Sequence, residues 1–546
     1  MNRLKYIIYI TSIFLLFITC KKREKLDLST IQTYHHIAIP LVNSQIGIDE
    51  LLKRDTIGLV TTATNGGIEI AYESSSISVS ASEIIDIPNQ SFNESFSPPV
   101  IPIFQVGEDT TFSAQIIKPF SLGNKKIDSI NFSYGENKVI ITNNLMHDVE
   151  VTINIPSLVR KSAPSVFFYN CIINVAANSD KDTLIDLSIY NLDLTQGLPL
   201  GGLGYNELII DYSVKIIGSG APIAPNDDLT IDFTMENLEF ARIDGDFKYI
   251  KDTLSPSLLT LAIFNLSEGS FNFSLTNPKI EHIIVNSFGF SANMGMDSMY
   301  YEDLSGIKID DIKYDSTGLS PKIAPFYFPS IQQPINAFDS ATTIIFMDNT
   351  NSSISSLINA TPKTIISKPF AEINPVTSLP NDNYIESSSE ISVSTEITLP
   401  LTGYANGWIM KDTIPFNAKV DELFSSETSI DSAIIKFTTT NYFPLDVKID
   451  LILLDSTFTT IDTIADSELI IASGVIDANG KITTAQAVPT KLPCDGTCVD
   501  NLNNTRFIIL RLSIGTTGVS SQESVKIYDD YKIELDIALL ISGRMF

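Results

Sequence analysis

The feature that most constrains this chain is the alternation of apolar and polar residues in many short segments. Examples are Asp148-Val-Glu-Val-Thr-Ile-Asn-Ile and Leu229-Thr-Ile-Asp-Phe-Thr-Met. A period of two places alternate side chains on opposite faces, which is typical of half-buried antiparallel strands. Clusters of Asn, Asp, Gly, Pro and Ser separate these segments at short spacing. We therefore predict an all-β fold, with several antiparallel β-sandwich-like modules in tandem and few short helices.

The patterning suggests limits for these modules along the 546 residues. We expect a leader and a tether before the folded body. The predicted limits are a signal peptide over 1–19, a tether over 20–60, a β-rich segment over 61–120, a β module over 121–260, a β module with longer loops over 261–380, and a C-terminal β module over 381–546.

The first residues resemble a secretory leader. Arg3 and Lys5 supply a positive start, and an almost unbroken apolar stretch follows from Tyr6 to Ile18. Such a stretch fits the short apolar region of a signal peptide better than a membrane-spanning helix. Cys20 stands directly after it, where cleavage is expected. An ordinary signal peptide with an incidental Cys20, or an uncleaved anchor, are the alternatives.

The residues before Cys20 resemble the lipobox of bacterial lipoproteins. Thr19 replaces the more usual Gly or Ala, and Phe17 replaces the more usual Leu, as in the relaxed boxes of Bacteroidota. Together with Leu399 to Trp408, Asn277-Pro and Asn286-Ser-Phe-Gly, this box makes the chain similar to large β-rich outer-membrane lipoproteins of Bacteroidota. The resemblance implies acyl chains such as palmitate on Cys20 and a lipid anchor in the outer membrane. It leaves the periplasmic and cell-surface faces open, and it implies no activity.

The charge balance excludes several partners. The formal net charge of -28 becomes -30 once the leader removes Arg3 and Lys5. A strongly acidic chain is repelled by nucleic acid and by other polyanions. We therefore expect contact with the membrane through the lipid anchor, with outer-membrane proteins, and with lipid or glycan, but not with nucleic acid.

Cysteine spacing predicts one disulfide. Cys494 and Cys498 form a close pair in a turn-rich segment, as expected for an exported protein. No second pair or nearby histidine completes a tetrahedral zinc site. Cys171 stands alone in an apolar strand, where packing is its expected role. We expect no metal and no cofactor.

A short pattern occurs more than once. Asn143 and Asn441 each end one strand, and each precedes a second strand that opens with Asp148-Val or Asp446-Val. Asn277-Pro is a third candidate, similar to the hairpin of LEA-type β-sandwich modules. These copies suggest repeated β modules. The alternative is that such turns are simply common between strands.

Asp followed by Ser or Thr and then a small or apolar residue recurs along the chain. The pattern matches the acceptor motif of O-glycosylation in exported proteins of Bacteroidota, and a glycan would solubilise segments beside Ile-rich strands. The alternative is a turn that leads into an apolar strand. The candidate hydroxyls are those of Thr56, Thr110, Ser129, Thr183, Thr253, Ser298, Ser316, Ser340, Thr413, Ser432, Ser456 and Thr463.

No catalytic motif is present in the sequence. His-Glu-x-x-His and Gly-x-Ser-x-Gly are both missing, so we expect no enzyme activity. Three functions remain: a non-catalytic binding or scaffolding protein, a lipid-binding or lipid-transfer protein, and a carbohydrate-binding protein. Tyr404 and Trp408, in a Gly-rich stretch, are the candidates for stacking on a sugar.

Overall fold

The computed structural model describes residues 33–48, 57–64, 66–162, 168–265, 272–375, 383–416, 428–477, 481–516 and 524–545. In this part of the chain, antiparallel strands dominate and helices are short, so the all-β prediction is confirmed. The alternation explains why: the strand Asp148–Arg160 buries Val149, Val151 and Ile153, while the residues between them stay partly exposed.

The elements begin with N-terminal strands β1 (Thr33–Gly47), β2 (Leu59–Thr62), β3 (Ile68–Glu73), β4 (Ile77–Ser80) and β5 (Gln90–Phe96). They continue with β6 (Asp109–Pro119), β7 (Lys126–Asn143), β8 (Asp148–Arg160), β9 (Phe168–Val175), β10 (Ser179–Asp186), β11 (Tyr190–Asp193), β12 (Glu207–Ile217) and β13 (Leu229–Asp246).

The middle of the chain contains β14 (Ile250–Thr253), β15 (Ser257–Thr260), β16 (Asn272–Leu275), β17 (Lys279–Asn286), β18 (Ala292–Glu302), β19 (Lys308–Asp311), β20 (Lys313–Tyr314), β21 (Lys322–Ile323), β22 (Phe326–Tyr327), β23 (Ala341–Met347), β24 (Thr364–Ile373), β25 (Tyr384–Glu386) and β26 (Glu390–Pro400).

The last strands are β27 (Thr402–Pro415), β28 (Thr428–Asn441), β29 (Leu445–Leu454), β30 (Thr460–Ile471), β31 (Val475–Ile476), β32 (Ile482–Thr484), β33 (Gln486–Cys494), β34 (Phe507–Thr516), β35 (Val525–Lys526) and β36 (Lys532–Met545). The helices are α1 (Ala81–Ile84), α2 (Ile354–Asn359) and α3 (Gly496–Asn504), with 3-10 turns at Leu187–Ile189, Leu198–Leu200 and Ala262–Asn265.

Strands β5 to β13 form a two-sheet unit, which we call module 1. One sheet has the order β5-β13-β7-β10, and the other has the order β6-β12-β8-β9. The short strand β11 pairs with both β7 and β8 and so joins the two sheets. The inward side chains of both sheets belong to one apolar core.

The same arrangement occurs twice more. Module 2 has a sheet β3/β4-β26-β17-β23 and a sheet β14/β15-β24-β18-β19. Module 3 has a sheet β1-β36-β28-β33 and a sheet β27-β34-β29-β30. Each module has eight main strands when β11 is left out and β3/β4 and β14/β15 are each counted as one strand. Counted along the chain, these eight strands lie in the orders first-eighth-third-sixth and second-seventh-fourth-fifth. This is the strand order of a jelly roll, a double-sheet fold made of two Greek keys.

The first strands of the three modules are collected at the N-terminus in reverse order. Strand β1 belongs to module 3, β3 and β4 belong to module 2, and β5 belongs to module 1. The remaining strands of modules 1, 2 and 3 then follow one module after another. Module 1 is therefore continuous in sequence, whereas β1 must pair with β36 across almost the whole chain.

The module limits in the structure differ from those predicted from the sequence. The segment predicted as a tether over 20–60 contains β1, whose side chains Ile39, Val42 and Ile46 are buried. Pro40 and a register shift interrupt the alternation of apolar and polar residues in β1, so the sequence pattern did not predict this strand. The segment 61–120 divides among the modules: β3 and β4 go to module 2, while β5 and β6 go to module 1.

Short strands connect neighbouring modules. Strand β25, from module 2, pairs with β13 of module 1. Strand β16, also from module 2, pairs with β27 of module 3. At the second junction the amide of Ile68 also donates to the carbonyl of Ile527 at 3.0 Å. These pairings extend a sheet of one module with chain from the next.

A buried asparagine ends the third strand of every module. In module 1, Asn143 accepts a hydrogen bond from the amide of Leu145 at 3.1 Å. Its Nδ2 donates to the carbonyls of His147 at 2.8 Å and Ala176 at 2.9 Å. The side chain thus ties the loop after the third strand to the chain that follows the fifth. Such bonds satisfy backbone groups that burial would otherwise leave unpaired.

Module 3 repeats this arrangement with Asn441. It accepts from the amide of Phe443 at 2.9 Å, and it donates to the carbonyls of Leu445 at 2.8 Å and Ala472 at 3.0 Å. The aspartate five residues further on corresponds as well: Asp148 accepts the amide of Ala177 at 2.9 Å, and Asp446 accepts the amide of Ser473 at 2.8 Å. The repeat that the sequence suggests at these two positions is therefore structural.

The third copy lies at Asn286, not at Asn277. Asn286 accepts from the amide of Phe288 at 3.0 Å and donates to the carbonyl of Gln332 at 3.1 Å. Strand β16 pairs with β27 while β17 pairs with β23 and β26, so Asn277-Pro does not form the predicted hairpin. Asn277 has a positive φ of 56°, and it redirects the chain from module 3's sheet into module 2.

Candidate functional site

Some of the predicted sites and segments lie outside the described residues. This applies to the signal peptide over 1–19, to Cys20 and to Thr56. None of the helices in the described ranges combines the length and the apolar character that a membrane crossing requires.

The predicted cysteine pair lies where β33 ends and α3 begins. The sulfurs of Cys494 and Cys498 are 2.06 Å apart, the separation of a disulfide, and their Cα atoms are 5.3 Å apart. Asp495 caps α3 by accepting the amide of Cys498 at 2.9 Å. Cys171 is half-buried on β9, and burial raises the pKa of its thiol. The free thiol is therefore protonated at neutral pH.

Tyr404 and Trp408 do not lie in an exposed loop, as the sequence suggested. Both belong to β27, which pairs with β16 at Tyr404 and with β34 at Trp408. The glycines suggested a loop, but the strand itself requires them. A Cβ on Gly403 would lie 1.8 Å from the carbonyl oxygen of Ser274. Gly407, with a φ of 79°, lies at a register shift. The Trp408 side chain lies outside the described residues, and Tyr404 is only half-exposed.

The described Asp-Ser/Thr acceptor residues are all exposed or half-buried. The exposed residues are Thr253, Ser316, Ser340, Thr413, Ser432, Ser456 and Thr463. The half-buried residues are Thr110, Ser129, Thr183 and Ser298. Most of these positions lie within strands and not in turns. Among the half-buried residues, Ser129 donates its hydroxyl to Asp244 at 3.0 Å, so that hydroxyl already has a partner.

The histidine of module 2 is a core residue. His282 faces inward from β17, with Nδ1 2.9 Å from the hydroxyl of Thr395 and Nε2 3.3 Å from the sulfur of Met347. The ring of Phe328 packs on it at 5.0 Å. Complete burial lowers the pKa of His282 to about 3, so the ring is neutral. Across the described ranges, no three His, Cys, Asp or Glu side chains are grouped so that they could hold a metal.

The best candidate for a binding surface lies at the open edge of module 2. Strand β23 is the last strand of its sheet, and it pairs with β17 on one side only within the described chain. Ile344 and Phe346 project from it into solvent. In the preceding loop, Ile335 is 95% exposed and Phe338 is 79% exposed. We call Ile335, Phe338, Ile344 and Phe346 the edge surface.

A cavity of about 790 Å³ lies along this loop, lined by residues that include Gln333, Ile335, Phe338 and Asp339. Behind the loop, Glu386 accepts the amide of Phe338 at 3.0 Å. The edge surface is thereby tied to β25, the strand that joins module 2 to module 1.

The sixth strands of the other two modules are protected against pairing. In module 1, β10 carries Asp180, Lys181 and Asp182. In module 3, β33 carries Pro489 and Pro493. Charged residues and prolines are the usual means by which proteins prevent an edge strand from pairing with another chain.

Strand β23, with the sequence Ala341-Thr-Thr-Ile-Ile-Phe-Met347, has neither. Sequence reasoning missed this surface, although a signal was present. Four consecutive apolar residues from Ile344 to Met347 break the alternation, so the outward face is apolar as well.

Comparisons with known proteins add little. No protein-family profile matches the chain, and no curated protein sequence matches it. A protein of Parabacteroides distasonis, described as secreted, aligns at 10% identity over 66% of this chain and 99% of its own, with a TM-score of 0.17. The PBSX exported protein XepA aligns at 10% identity over 56% and 86%, with a TM-score of 0.12. VP2 of infectious bursal disease virus aligns at 7% identity over 85% and 79%, with a TM-score of 0.14. These scores are too low to support any argument about function.

Proposed function

We propose that this chain is a lipid-anchored envelope protein that acts as a non-catalytic binding or scaffolding module of the outer membrane. Its partner would be an extended segment of another outer-membrane protein, which adds as a strand to β23. The observation that carries this proposal is the contrast among the three sixth strands: only β23, among these described strands, has an apolar outer face without charge or proline.

Strand addition suits the edge surface for two reasons. Main-chain hydrogen bonds to β23 would supply affinity, and the side chains of Ile344 and Phe346 would supply specificity. The neighbouring Ile335 and Phe338 extend the apolar area, and exposed apolar patches on soluble proteins commonly mark interaction sites. An uncovered edge of this kind would also promote aggregation, so a partner that covers it has a physical purpose.

The proposed anchor would tether the protein to the membrane through module 3. Twelve residues, 21–32, separate Cys20 from the start of β1 at Thr33. A fully extended chain spans at most about 3.5 Å per residue, so this segment reaches roughly 40 Å. Because β1 is part of module 3, the acyl chains would hold that module close to the bilayer.

Glycosylation at some Asp-Ser/Thr sites belongs to the same proposal. The exposure of seven of the candidate residues supports it, because a modifying enzyme requires access to the acceptor side chain. Ser340 lines the cavity beside the edge surface, so a glycan there would compete with the proposed partner. An intact mass equal to that of the acylated polypeptide would remove this part of the proposal.

Lipid binding is the second candidate from the sequence. The inner faces of the modules are filled by buried Ile, Leu, Val and Phe side chains, which supports surface binding over a groove between the sheets. Organic extraction of the purified protein distinguishes the two, because a lipid-transfer protein releases bound lipid other than its own anchor.

The docking proposal is tested by affinity purification from native membranes. Ile344→Lys introduces a charge on the open edge, and we expect it to reduce recovery of the principal co-purifying envelope protein by about tenfold or more. Leu184→Lys is the matched control, because Leu184 is an exposed residue of the equivalent strand β10. Equal recovery with Ile344→Lys and the unmodified chain would refute docking at β23.

The anchor is tested separately. Cys20→Ala should release the protein from membranes or leave its leader uncleaved. A Cys20→Ala variant that still fractionates with washed outer membrane would refute anchoring at that residue.

A further inference from the structure

A second surface of module 2 combines exposed aromatic rings with a carboxylate. It belongs to the sheet that contains β14, β24 and β18, whereas the edge surface belongs to the sheet that contains β23. Its centre is Glu372 on β24, and its walls are Tyr249, just before β14, and Tyr327 on β22. We call Tyr249, Lys251, Tyr327, Phe370 and Glu372 the tyrosine platform.

The hydrogen bonds to Glu372 are unevenly distributed. Its Oε1 accepts from the hydroxyl of Tyr327 at 2.7 Å, the hydroxyl of Tyr249 at 2.9 Å and the ammonium of Lys251 at 3.3 Å. None of the described residues donates to Oε2, and that atom is not among the fully buried ones. Only 9% of the Glu372 side chain is exposed. The carboxylate is therefore fixed through one oxygen and offers the other as an acceptor.

The two tyrosines present their rings to solvent. Tyr249 is 48% exposed and Tyr327 is 52% exposed. Their hydroxyls are bonded to Glu372, which already restricts both side chains. Stacking of a ligand on these rings would therefore cost little side-chain entropy of the protein. Tyr327 also contacts Phe370 edge to face, with the ring centroids 5.1 Å apart.

The backbone beneath the platform is shaped to bring these groups together. Gly295 on β18 pairs with both Tyr327 and Phe370. A Cβ at position 295 would lie 2.7 Å from the Phe370 ring and 2.2 Å from the carbonyl oxygen of Phe326. Asn293, two residues earlier, lies directly opposite Glu372 across the strand pair and adds an amide at the rim.

Charge on the platform favours a neutral ligand. Lys251 is placed over the Phe370 ring at 4.0 Å and is bonded to Glu372, so its charge is already compensated. Burial raises the pKa of Glu372, but the hydrogen bonds from Tyr327, Tyr249 and Lys251 outweigh it and hold the pKa below the usual value. The open Oε2 is therefore a charged acceptor that would attract hydroxyl donors and repel anions.

We propose that the tyrosine platform is a binding subsite for a neutral hexopyranose ring of a glycan. The apolar C–H face of the sugar would stack on Tyr327 or Tyr249, since aromatic faces suit such contacts. A ring hydroxyl would donate to Oε2 of Glu372. The inference does not depend on the proposed function, because a different face of module 2 carries it.

The test is a titration of the full mature protein with cellohexaose, mannohexaose, chitohexaose and an acidic oligogalacturonide, followed by calorimetry. We expect at least one neutral hexasaccharide to bind with a Kd of about 1 mM. Tyr327→Ala and Glu372→Gln should each weaken that binding by about tenfold. Tyr249→Ala, just before β14, should weaken it by at least about threefold without disturbing β22.

Controls separate recognition from folding. Tyr134→Ala removes a comparably exposed tyrosine in module 1 and should leave binding unchanged. Tyr327→Phe keeps the ring and should retain most of the binding. The proposal is overturned if no neutral hexasaccharide binds, if only the acidic oligomer binds, or if Tyr249→Ala and Glu372→Gln both bind as well as the unmodified chain.

Discussion

Modules 1 and 3 have the same eight-strand order and the same buried asparagine, but they are built from the chain in different ways. Module 1 runs without interruption from β5 to β13, whereas module 3 borrows β1 from the N-terminus and completes itself with β36. Loop-closure entropy opposes pairing over so long a separation. The same strand order is therefore formed from one continuous segment in module 1 and from two widely separated segments in module 3.

Removal of β1 should have the largest effect on stability, and it should destabilise module 3 but not module 1. A variant that lacks residues 33–47 loses the buried side chains of Ile39, Val42 and Ile46, together with the whole β1–β36 ladder. At about 1.5 to 3 kcal/mol for each apolar side chain, module 3 should lose at least about 5 kcal/mol. Hydrogen exchange should then show loss of protection in β28 and β36 but not in β7 and β13. Unchanged protection in β36 would contradict the assignment of β1 to module 3.

The buried asparagines test whether the modules are true repeats. Asn143→Ala and Asn441→Ala each remove bonds to two carbonyls and one amide, so each should destabilise its own module by about 3 kcal/mol. Asn286→Ala removes one bond to a carbonyl and one from an amide, and should cost about 2 kcal/mol. Local unfolding free energies from hydrogen exchange measure all three. A negligible effect at Asn441 with a large effect at Asn143 would break the correspondence.

Acid should destabilise module 2 through His282. The folded pKa of His282 is about 3, below the unfolded value of about 6.5. The unfolded state therefore binds the proton first, and the stability that neutral His282 contributes is present above pH 6.5 and is lost as the pH falls toward 3. Between pH 6.5 and 5 this loss should reach about 2 kcal/mol.

The control for this prediction is His282→Gln, which cannot be protonated. Thermal unfolding of module 2, measured against pH in the unmodified chain and the variant, should show a steeper loss in the unmodified chain. Equal slopes would show that His282 is protonated in the folded protein.

Sequence predicted the local structure well and the long-range structure poorly. Alternation indicates the strands because side-chain burial has the period of the strand itself. The Asn143 and Asn441 copies could be found because an aspartate follows each in a fixed pattern. Asn286 is not followed by that aspartate, so the sequence pattern favours Asn277-Pro as the third copy in its place. The pairing of β1 with β36 could not be predicted, because one sequence gives no information about which distant strands pair.

The candidate sites show the same division. The edge surface left a signal in the unbroken run from Ile344 to Met347. The tyrosine platform left none, because Tyr249, Tyr327 and Glu372 come from three separate strand regions. Tyr404 and Trp408 were misplaced in a loop, because glycines at a register shift and at a close backbone approach resemble the glycines of a turn.

The most direct test of the interleaved modules is a disulfide between β1 and β36. His36 lies opposite Ser542, with Nδ1 2.8 Å from the hydroxyl, and paired residues of antiparallel strands lie within disulfide range. His36→Cys with Ser542→Cys, in a Cys171→Ser chain, should cross-link nearly completely under mild oxidation, as read by peptide mass spectrometry. His36→Cys with Asp536→Cys, positions separated by about 20 Å along the strands, should not. Failure of the first pair to cross-link, or equal cross-linking of both pairs, would contradict the proposed topology.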